Sequence, residues 1–452
     1  MFKVKKRMFE KISPGRLLAL GFLFLILIGG SLLSLPFFSR SGEATAWLDG
    51  IFTATSAVCV TGLTTLNTAE QWNIYGQVLI MVLIEIGGLG FMMIPILFFS
   101  AMKKKVAFST RIVLQEALNL DDLSGVMKLM LYIVKLSAVI QGVGAVLLSF
   151  VFVPQYGWLK GIWFGIFHSI SSFCNAGFDL LGDSLAQDQQ NWFLILVVAL
   201  LIIAGGLGFI VWRDIIEYRE KKRLSLHTRI GLSITGILLI GGTILFFFTE
   251  NNAAALAPNG NFFERLVNTF FMSVTPRTAG YYSVNYAHMT DAGLILTMFL
   301  MYIGGTSGST AGGLKTTTFG VLLIQMRSMF KGRTRAEFHG RTIRQSTVLR
   351  ALTLFFITLT VCVLAIMLLS VTETIPPEFG IEYIAFEAFS AFGTVGLTMG
   401  LTPDLTEIGK VVIIALMYIG RVGILTVVFS LIAKSKREQA NFKYPEEGVM
   451  VG

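Results

Sequence analysis

Long apolar stretches alternate with short polar or basic segments along most of the chain. Eight of these stretches come close to or exceed the roughly 20 residues that a helix needs to cross a hydrocarbon core of about 30 Å. We predict spanning helices at about 17–35, 75–101, 129–153, 192–212, 230–249, 291–327, 351–371 and 406–433. The pattern therefore predicts an all-α integral membrane protein with eight transmembrane spans.

The segments between the odd and even spans are also apolar, but they are too short to cross a bilayer. Each ends in a run of small residues, which favours a re-entrant helix followed by irregular backbone. Irregular backbone at membrane depth is tolerated only where protein or water surrounds it. These four segments are therefore candidate pore elements.

One glycine aligns the four segments, which is the signature of an internal repeat. The segments read IFTATSAVCVTGL (51–63), IFHSISSFCNAGF (166–178), TFFMSVTPRTAGY (269–281) and AFEAFSAFGTVGL (385–397). The shared glycines are Gly62, Gly177, Gly280 and Gly396, and a phenylalanine precedes each by ten residues: Phe52, Phe167, Phe270 and Phe386. Downstream, each following span carries a glycine pair or its remnant, in IGGLGF, AGGLGF, IGGTSG and IGRVG.

The alignment predicts four tandem repeats of spanning helix, pore helix and spanning helix in a pseudo-fourfold arrangement around one pore. The predicted units are a cytoplasmic N-terminus (1–16), repeat 1 (17–101), repeat 2 (129–212), repeat 3 with a broken last helix (230–327), repeat 4 (351–433) and a cytoplasmic tail (434–452). Close helix packing is the simpler reason for glycine in a membrane span, and it suits much of 87–91 and 205–209.

Composition agrees with a membrane protein: 54% of residues are hydrophobic and only 14% are charged. The net charge of +9 does not indicate nucleic-acid binding, because 28 of the 36 Lys and Arg fall in five blocks between spans. Such blocks are typical of cytoplasmic segments, which places both termini in the cytoplasm. A surface attracted to acidic lipid remains an alternative reading of the same blocks.

The backbone before each shared glycine is the candidate filter. Glycine allows conformations in which carbonyl oxygens point at a pore and replace the water shell of a cation. The lining residues are Val60, Thr61, Gly62, Asn175, Ala176, Gly177, Thr278, Ala279, Gly280, Thr394, Val395 and Gly396. This geometry suits a monovalent cation. Only one glycine ring is complete, so we expect weaker discrimination between potassium and sodium than in a channel with the full TVGYG loop.

The sixth span contains the first candidate gate. Its 37 residues would measure about 55 Å as a helix, and its middle, GGTSGSTAGGLKTTT (304–318), does not favour a continuous helix. A break there lies below the filter, where a flexible segment could obstruct the pore. The gate residues are Gly304, Gly305, Thr306, Ser307, Gly308, Ser309, Thr310, Ala311, Gly312, Gly313 and Lys315. The sequence of this segment is also close to the phosphate-binding pattern GxxxxGK[ST], but the additional residue Leu314 breaks the required spacing.

Arg421 is the second candidate gate residue. A charge inside the membrane is costly and usually faces a cavity or the interior of a bundle. Arg421 follows Gly420 in MYIGRVGIL and could form an electrostatic barrier below the filter. The alternative is a structural partner for Glu85 or for loop carbonyls. Three further polar residues in the pore segments, Arg277, His168 and Glu387, are interpreted as structural.

Other functions find little support in the chain. The three cysteines lie in hydrophobic stretches without metal spacing, and the four histidines are scattered. Motifs of membrane proteases and hydrolases (HExxH, GxSxG) do not occur. We therefore expect a transporter and no enzyme activity.

These motifs together resemble the Trk/Ktr/HKT superfamily of potassium transporters. The resemblance rests on the fourfold pore repeat, on VTGL, CNAGF, RTAGY and TVGL, and on IGGTSGSTAGGLKTT, and it covers essentially the whole chain. Eight spans resemble the bacterial Ktr-type membrane subunit more than the longer Trk type. Glycine at all four filter positions is similar to potassium-selective members.

The resemblance implies a potassium uptake subunit in the plasma membrane, with 304–318 as an intramembrane gating loop. It also implies a homodimer and a separate cytosolic ring of RCK-type subunits that bind nucleotide, so that this chain itself binds none. K⁺ is then the transported ion, and Na⁺ is implied as an activator. Coupled symport with Na⁺ or H⁺ is the alternative function.

Overall fold

The structure, a computed structural model, describes residues 14–90, 126–250, 256, 261–424, 426–427, 445, 447 and 450. Several predicted features lie wholly or partly outside these residues: the N-terminal segment 1–16, the end of repeat 1 at 91–101, the basic block 103–128, the end of repeat 4 at 428–433 and most of the tail 434–452.

The helices follow one another in four similar groups. The first group is α1 (Pro14–Leu33), a 3₁₀ turn (Pro36–Phe38), α2 (Trp47–Cys59), α3 (Thr68–Gln71) and α4 (Ile74–Leu89). The second is α5 (Val126–Tyr156), α6 (Trp158–Cys174), a 3₁₀ turn (Ala186–Asp188), α7 (Trp192–Gly206) and α8 (Phe209–Lys221). The third is α9 (Leu226–Thr249), α10 (Phe262–Val274), a 3₁₀ turn (Tyr286–His288), α11 (Asp291–Tyr302) and α12 (Thr316–Phe330).

A short antiparallel hairpin, β1 (Glu337–Phe338) and β2 (Arg341–Thr342), leads into the fourth group. In the hairpin, Glu337 faces Thr342 and Phe338 faces Arg341. The fourth group is α13 (Gln345–Thr372), α14 (Glu382–Gly393), α15 (Leu401–Asp404) and α16 (Glu407–Val422).

The first helix of each group is long and apolar enough to cross a membrane. These four helices are α1, α5, α9 and α13, and the bent pair α7–α8 would make a fifth if it counts as one span. Each exposes a large aromatic side chain, 61% to 73% accessible: Phe24, Phe150, Phe248 and Phe356. Exposed apolar faces on such helices are suited to lipid. Eight spans stay a prediction, since α4 and α11 are apolar but shorter.

In each group, the helix that begins after the short helix and its loop (α4, α7, α11 or α16), called the last helix of the group below although α8 and α12 follow it in groups two and three, ends early. The sequence predicted this only for the third group. The spans 75–101, 192–212 and 406–433 were expected to be continuous, but α4 ends at Leu89, α7 at Gly206 and α16 at Val422. A glycine follows each end in the same extended, positive-φ conformation: Gly90, Gly208 and Gly423 all have φ of +89°. A residue in that conformation cannot continue a right-handed helix. The GGLG motif therefore ends the helix and also provides a packing surface.

The four groups pack against one another in a cycle. The last helix of each group contacts the short helix of the next one: α4 with α6, α7 with α10, α11 with α14, and α16 with α2. The final contact, between the fourth group and the first, is reinforced by an ion pair of 2.7 Å between Lys410 and Asp49. The chain therefore closes on itself around the short helices.

Buried carboxylates join the first and last helices of groups three and four. Glu250, just after α9, accepts a 2.6 Å hydrogen bond from the Thr290 hydroxyl at the start of α11. Glu373, just after α13, accepts the equivalent 2.6 Å bond from Thr406 at the start of α16. A carboxylate at a helix N-terminus is favourably placed in the helix dipole, so these contacts fix where the last helices begin.

Candidate ion-conduction site

A non-helical segment, called a strand below, follows each of the short helices α2, α6, α10 and α14. In each strand the aligned glycine has a positive φ: +94° at Gly62, +69° at Gly177, +77° at Gly280 and +93° at Gly396. The residue two positions earlier is also left-handed, at Val60, Asn175, Thr278 and Thr394. Four non-glycine residues in this costly conformation at equivalent places indicate that the surrounding structure imposes it.

The four glycines form a closed ring of contacts. A Cβ added at Gly62 would lie 2.6 Å from the Ala176 carbonyl oxygen, and one at Gly177 would lie 2.8 Å from that of Ala279. One at Gly280 would lie 2.7 Å from the Val395 carbonyl oxygen, and one at Gly396 would collide with that of Thr61. Each of these glycines thus lies against a carbonyl of the next segment.

Each short helix points its C-terminal end at this ring. In groups one, two and four the helix ends in a pair of crossed hydrogen bonds, such as Val60 N–H to Ala57 O at 3.2 Å and Thr61 N–H to Ser56 O at 2.8 Å. This is the Schellman arrangement, which requires the left-handed residue at the cap. The negative ends of three helix dipoles thus approach the glycine ring, where they favour a cation.

Serine hydroxyls hold the strands from behind, and sequence reasoning missed them. Ser56 accepts the Gly62 N–H at 2.9 Å, and Ser390 accepts the Gly396 N–H at 3.1 Å. Ser171, at the equivalent position, donates to the Phe178 carbonyl at 2.8 Å. The signal was present in the alignment, since a serine stands six residues before the glycine in three of the four segments.

The third strand is offset by one residue from the sequence alignment. The fully buried phenylalanine in α10 is Phe271, whereas Phe270 is only partly buried. Thr275 takes the part of the serines, because its hydroxyl donates to the Tyr281 carbonyl. After α10, the residues Thr275, Pro276 and Arg277 take the place of the Schellman motif that ends the other short helices. The Ala279 N–H instead bonds to Thr275 O at 3.0 Å. Proline has no N–H to give, which explains the different helix end.

The glycine pairs of the last helices serve close packing, as the simpler sequence interpretation held. A Cβ added at Gly87, Gly205 or Gly420 would collide with a carbonyl at the end of a short helix, that of Val58, Phe173 or Phe392 respectively. These glycines therefore bring the last helices against the backs of the strands.

The segment from Ile303 to Lys315 is not helical, as predicted, and it docks on the end of α7. Thr306 N–H bonds to Gly206 O at 2.9 Å, and Thr310 N–H bonds to Gly205 O at 3.3 Å. In return, Phe209 N–H at the start of α8 bonds to Gly308 O at 2.9 Å. A broken helix leaves backbone groups without partners at both new ends, and the loop supplies those partners.

The same loop lies directly under the fourth strand. A Cβ added at Gly312 would collide with the Thr394 hydroxyl, and one at Gly313 would lie 3.2 Å from Gly393 Cα. Within the loop, the Lys315 ammonium donates to the carbonyls of Ala311 at 2.6 Å and Gly312 at 3.3 Å. The lysine therefore closes the loop on itself beside the strand.

Arg421 connects this loop to the first group. Its guanidinium donates to the carbonyls of Thr310 and Gly87, and to that of Gly88 at 2.9 Å. Gly87 and Gly88 lie in the last turn of α4, whose carbonyls have no helical partner and carry the negative end of the dipole. Of the two structural partners considered from the sequence, the geometry selects loop and helix carbonyls.

Glu85 has other partners. Its carboxylate accepts a 2.8 Å hydrogen bond from the Gln141 amide and a 3.3 Å bond from the Cys174 thiol. Arg421 and Glu85 are therefore held by separate sets of bonds, although both flank the end of α4.

The other polar residues of the pore segments have structural contacts. His168 bonds to the Phe164 carbonyl at 2.8 Å and accepts the Leu180 N–H at 3.3 Å. Glu387 is fully buried and accepts from the Thr398 hydroxyl at 2.8 Å and from Thr402. Arg277 donates at 3.3 Å to both Thr235 and Thr316, behind the third strand.

Comparison with known proteins decides the family. The TrkH family profile, described as a cation transport protein, matches residues 24–443. The chain belongs to the TrkH family. It is 72% identical to the potassium/sodium uptake protein NtpJ of Enterococcus hirae over 99% of both chains. It is also 40% identical to the Ktr system potassium uptake protein B of Bacillus subtilis, over 98% of this chain and 97% of that one.

A solved structure supports the fold. The potassium transporter TrkH from Vibrio parahaemolyticus superposes with a TM-score of 0.70 at 20% identity, over 91% of this chain and 84% of that chain. Membership of the Trk/Ktr superfamily and likeness to its Ktr-type membrane subunit are thus confirmed. The chain is a multi-pass membrane protein of a family of ion transporters.

Proposed function

We propose that this chain is a potassium uptake subunit that conducts K⁺ through a channel-like filter at the ring of four glycines. The observation that carries the proposal is the closed cycle in which each glycine meets a carbonyl of the next strand. Backbone carbonyls gathered around one axis can replace the hydration shell of a monovalent cation. The names of two relatives, which describe potassium/sodium uptake and potassium uptake, agree with this substrate.

The proposed architecture is four pore repeats in pseudo-fourfold order around that axis, with eight spans. It is supported by the cycle of contacts between α4 and α6, α7 and α10, α11 and α14, and α16 and α2. The early ends of the last helices leave room below the filter for the loop 304–315.

We place the gate at this loop and Arg421. The loop touches the fourth strand through Gly312, rests on the end of α7 through Thr306 and Thr310, and reaches the end of α4 through Arg421. All four groups thus contribute to one closed layer on the helix-break side of the filter. Opening would require the loop to give up these bonds.

The remaining partners follow from the resemblance to Ktr-type subunits. We propose a homodimer in the plasma membrane, with both termini in the cytoplasm, and a separate RCK-type ring that binds the regulatory nucleotide. A relative is named as protein B of a Ktr system, which agrees with a multi-component assembly.

Potassium uptake by a transport-deficient host that expresses the chain tests the proposal directly. The host should take up K⁺ at low external concentration, and the Gly396→Ser variant should lose part of its preference for K⁺ over Na⁺. A serine there would collide with the Thr61 carbonyl and would hold an unfavourable φ of +93°. Gly42→Ser is the matched control, because Gly42 also has a positive φ but no neighbour within 4 Å. Equal K⁺/Na⁺ flux ratios in all three proteins would contradict the filter assignment.

Coupled symport is the second candidate, favoured by the sodium in the name of the 72% identical relative. The same uptake assay separates the two functions. Channel-like conduction persists when an ionophore collapses the Na⁺ gradient at constant membrane potential, whereas Na⁺-coupled uptake stops. Collapse of the proton gradient under the same clamp tests H⁺ coupling.

A further inference from the structure

Helix α8 carries a surface that neither the filter nor the gate uses. It leaves the apolar helix α7 at an angle of 92°. The turn occurs at Gly208, whose φ is +89°. Asp214 of α8 accepts hydrogen bonds from Ser225 and Thr228 at the start of α9, a helix long enough to span the bilayer, so α8 lies at the level where that helix begins and runs along the membrane surface.

One side of α8 combines exposed isoleucines with cations. At about 100° per residue, Ile215, Ile216 and Arg219 share one side of the helix. Ile215 is 37% exposed and Ile216 is 53% exposed, and Arg219 is exposed as well. Two further exposed cations, Lys222 and Arg223, continue this side where the helix ends. The combination is that of a helix lying in the headgroup region.

Two of the three acidic residues of α8, Asp214 and Glu217, lie on its other sides and are already engaged, whereas the exposed Glu220 borders the isoleucine side, four residues after Ile216. Asp214 accepts hydrogen bonds of 2.5 Å from both Ser225 and Thr228. Glu217 forms ion pairs with Lys221 at 2.5 Å and Arg213 at 2.9 Å. The hydrogen bonds from Lys221 and Arg213 lower the pKa of Glu217, so this carboxylate stays ionised and balances those two cations.

The cations on the isoleucine side are left without such balance. Among the described residues, the ion pairs are those of Arg213, Lys221, Arg333 and Lys410, and none involves Arg219, Lys222 or Arg223. Three cations against the single carboxylate of Glu220 leave this side with a net positive charge beside two exposed isoleucines, which matches a surface that is both apolar and negatively charged.

We propose that this face (Ile215, Ile216, Arg219, Lys222 and Arg223) docks on the membrane surface and binds anionic phospholipid headgroups. The isoleucines insert at headgroup depth, and the three cations contact lipid phosphates. A lipid surface fits better than an acidic protein, because the bonds of Asp214 to the start of the spanning helix α9 already place α8 at the bilayer boundary. The proposal concerns lipid binding and does not depend on the ion that the filter conducts.

Lipid-specific quenching of a fluorophore tests the contact. The label is attached to Ile216→Cys in the full chain, whose cysteines Cys59, Cys174 and Cys362 are buried. The protein is reconstituted in phosphatidylcholine vesicles that contain a minor fraction of brominated phosphatidylglycerol or, separately, of brominated phosphatidylcholine. Brominated phosphatidylglycerol should quench as if enriched about fivefold or more around the label, given the attraction of each basic residue to an anionic surface.

Two controls give the result its meaning. R219Q/K222Q/R223Q should reduce the enrichment to the bulk ratio, whereas R333Q/R335Q/R341Q, which removes the same charge around the β1–β2 hairpin, should preserve it. A label at Ile240→Cys, on the exposed apolar side of α9, should be quenched equally by both lipids.

Two outcomes would overturn the proposal. Equal quenching of the Ile216 label by both lipids would mean apolar contact without headgroup preference. No quenching by either lipid, with full access to aqueous iodide, would mean that the face meets water or a protein partner. Potassium uptake by the same variants reports separately on the proposed transport function.

Discussion

Hydroxyl groups behind the glycine ring hold the strand backbone at single atoms. Gly62 and Gly396 each direct their N–H away from the ring, toward Ser56 and Ser390 respectively. A strand whose N–H groups are fixed on one side has its carbonyl oxygens free on the other. The serines therefore position the oxygens that would coordinate the ion without touching it.

Removal of one of these hydroxyls should loosen its strand. In Ser390→Ala the Gly396 N–H loses its partner, and an unsatisfied buried donor costs about 1–3 kcal/mol. We expect a folded protein with a lower K⁺/Na⁺ flux ratio. Ser34→Ala is the control, because the Ser34 hydroxyl bonds to Gly30 O within its own helix, at 2.9 Å. Unchanged selectivity in Ser390→Ala would show that the hydroxyl only stabilises the fold.

Neutralisation of Arg421 should raise flux. Arg421→Gln keeps a polar side chain but cannot bridge the carbonyls of Thr310, Gly87 and Gly88 at once, and it removes a positive charge from the pathway. We expect faster K⁺ uptake at saturating concentration. Arg421→Lys keeps the charge without the planar fork, so it separates the electrostatic barrier from the bridge. Loss of folded protein with no gain in flux in either variant would mean that Arg421 is structural only.

Single residues were predicted with uneven success. The aligned glycines could be found, because glycine suits a positive φ and they recur in register. The left-handed residues two positions earlier could not, because Val60, Thr278 and Thr394 are β-branched types that rarely adopt a positive φ. The contacts of Arg421 could not, because helix-end carbonyls leave no mark in the sequence. Glu85 illustrates the same limit, since its partner Gln141 lies in another group and its thiol partner, Cys174, reads as an apolar residue.

At the scale of an element, the loop 304–315 is held by backbone bonds and by side-chain bonds, the latter from Thr310, Lys315 and Arg421 among others. Gly304 N–H bonds to Leu314 O at 2.8 Å, and Thr316 N–H bonds to Gly305 O at 3.0 Å, so its two ends pair with each other. The loop can leave its dock on α7 only if the buried side chains of Thr306, Thr310, Ala311 and Leu314 give up their contacts.

Gly312→Ala should displace the loop from the filter. The added methyl group would collide with the Thr394 hydroxyl and would lie 2.9 Å from Thr394 Cγ2. We expect the loop to shift away from the fourth strand and K⁺ flux to rise, without loss of folded protein. Gly142→Ala on α5 is the control, because nothing lies within 4 Å of a Cβ there. Reduced flux in Gly312→Ala would place the loop in the conduction pathway as a filter support instead of a gate.

The elements themselves were predicted well where composition decides them. Long apolar helices, with shorter helices between them, appear where the hydrophobic pattern put them. The ends of the last helices were wrong in three groups, because an apolar run that contains GGLG has the composition of a continuous span. A glycine that ends a helix differs from one that only allows close helix packing in its φ angle. That angle is determined by packing against the end of a neighbouring helix.

At the scale of the whole molecule, the cycle of contacts defines two sides. The short helices point their C-termini at the ring from one side, and the loop and the helix ends at Gly90, Gly208 and Gly423 lie on the other. The basic segments 213–229 and 327–350 follow these helix ends, which agrees with the predicted cytoplasmic side.

Topology reporters should confirm this orientation. A reporter that is active only in the cytoplasm should be active when fused after residue 452 or inserted at 332–334 within the basic segment. The same reporter inserted at 257–260, between α9 and α10, should be inactive, and a periplasmic or surface reporter should give the opposite pattern. Activity of the cytoplasmic reporter at 257–260 would reverse the predicted topology.

The four similar groups of helices could be anticipated because repetition within one chain is visible without a partner. Subunit number and the regulatory ring are different, because an interface between chains has no internal copy with which to align. Those features come from the family resemblance, and they remain to be tested on the assembled protein.

The one-residue offset of the third strand limits which pore segments can replace one another in the chain. The stretch from the buried phenylalanine to the glycine has the same length in groups one, two and four, so 52–62, 167–177 and 386–396 could replace one another without an insertion. The stretch from Phe271 is one residue shorter. A swap into the third position would move every later side chain out of register, whereas a circular permutation, which preserves the order around the ring, would not. The third segment must therefore keep its place in the order of segments around the ring, whereas the other three have the same length.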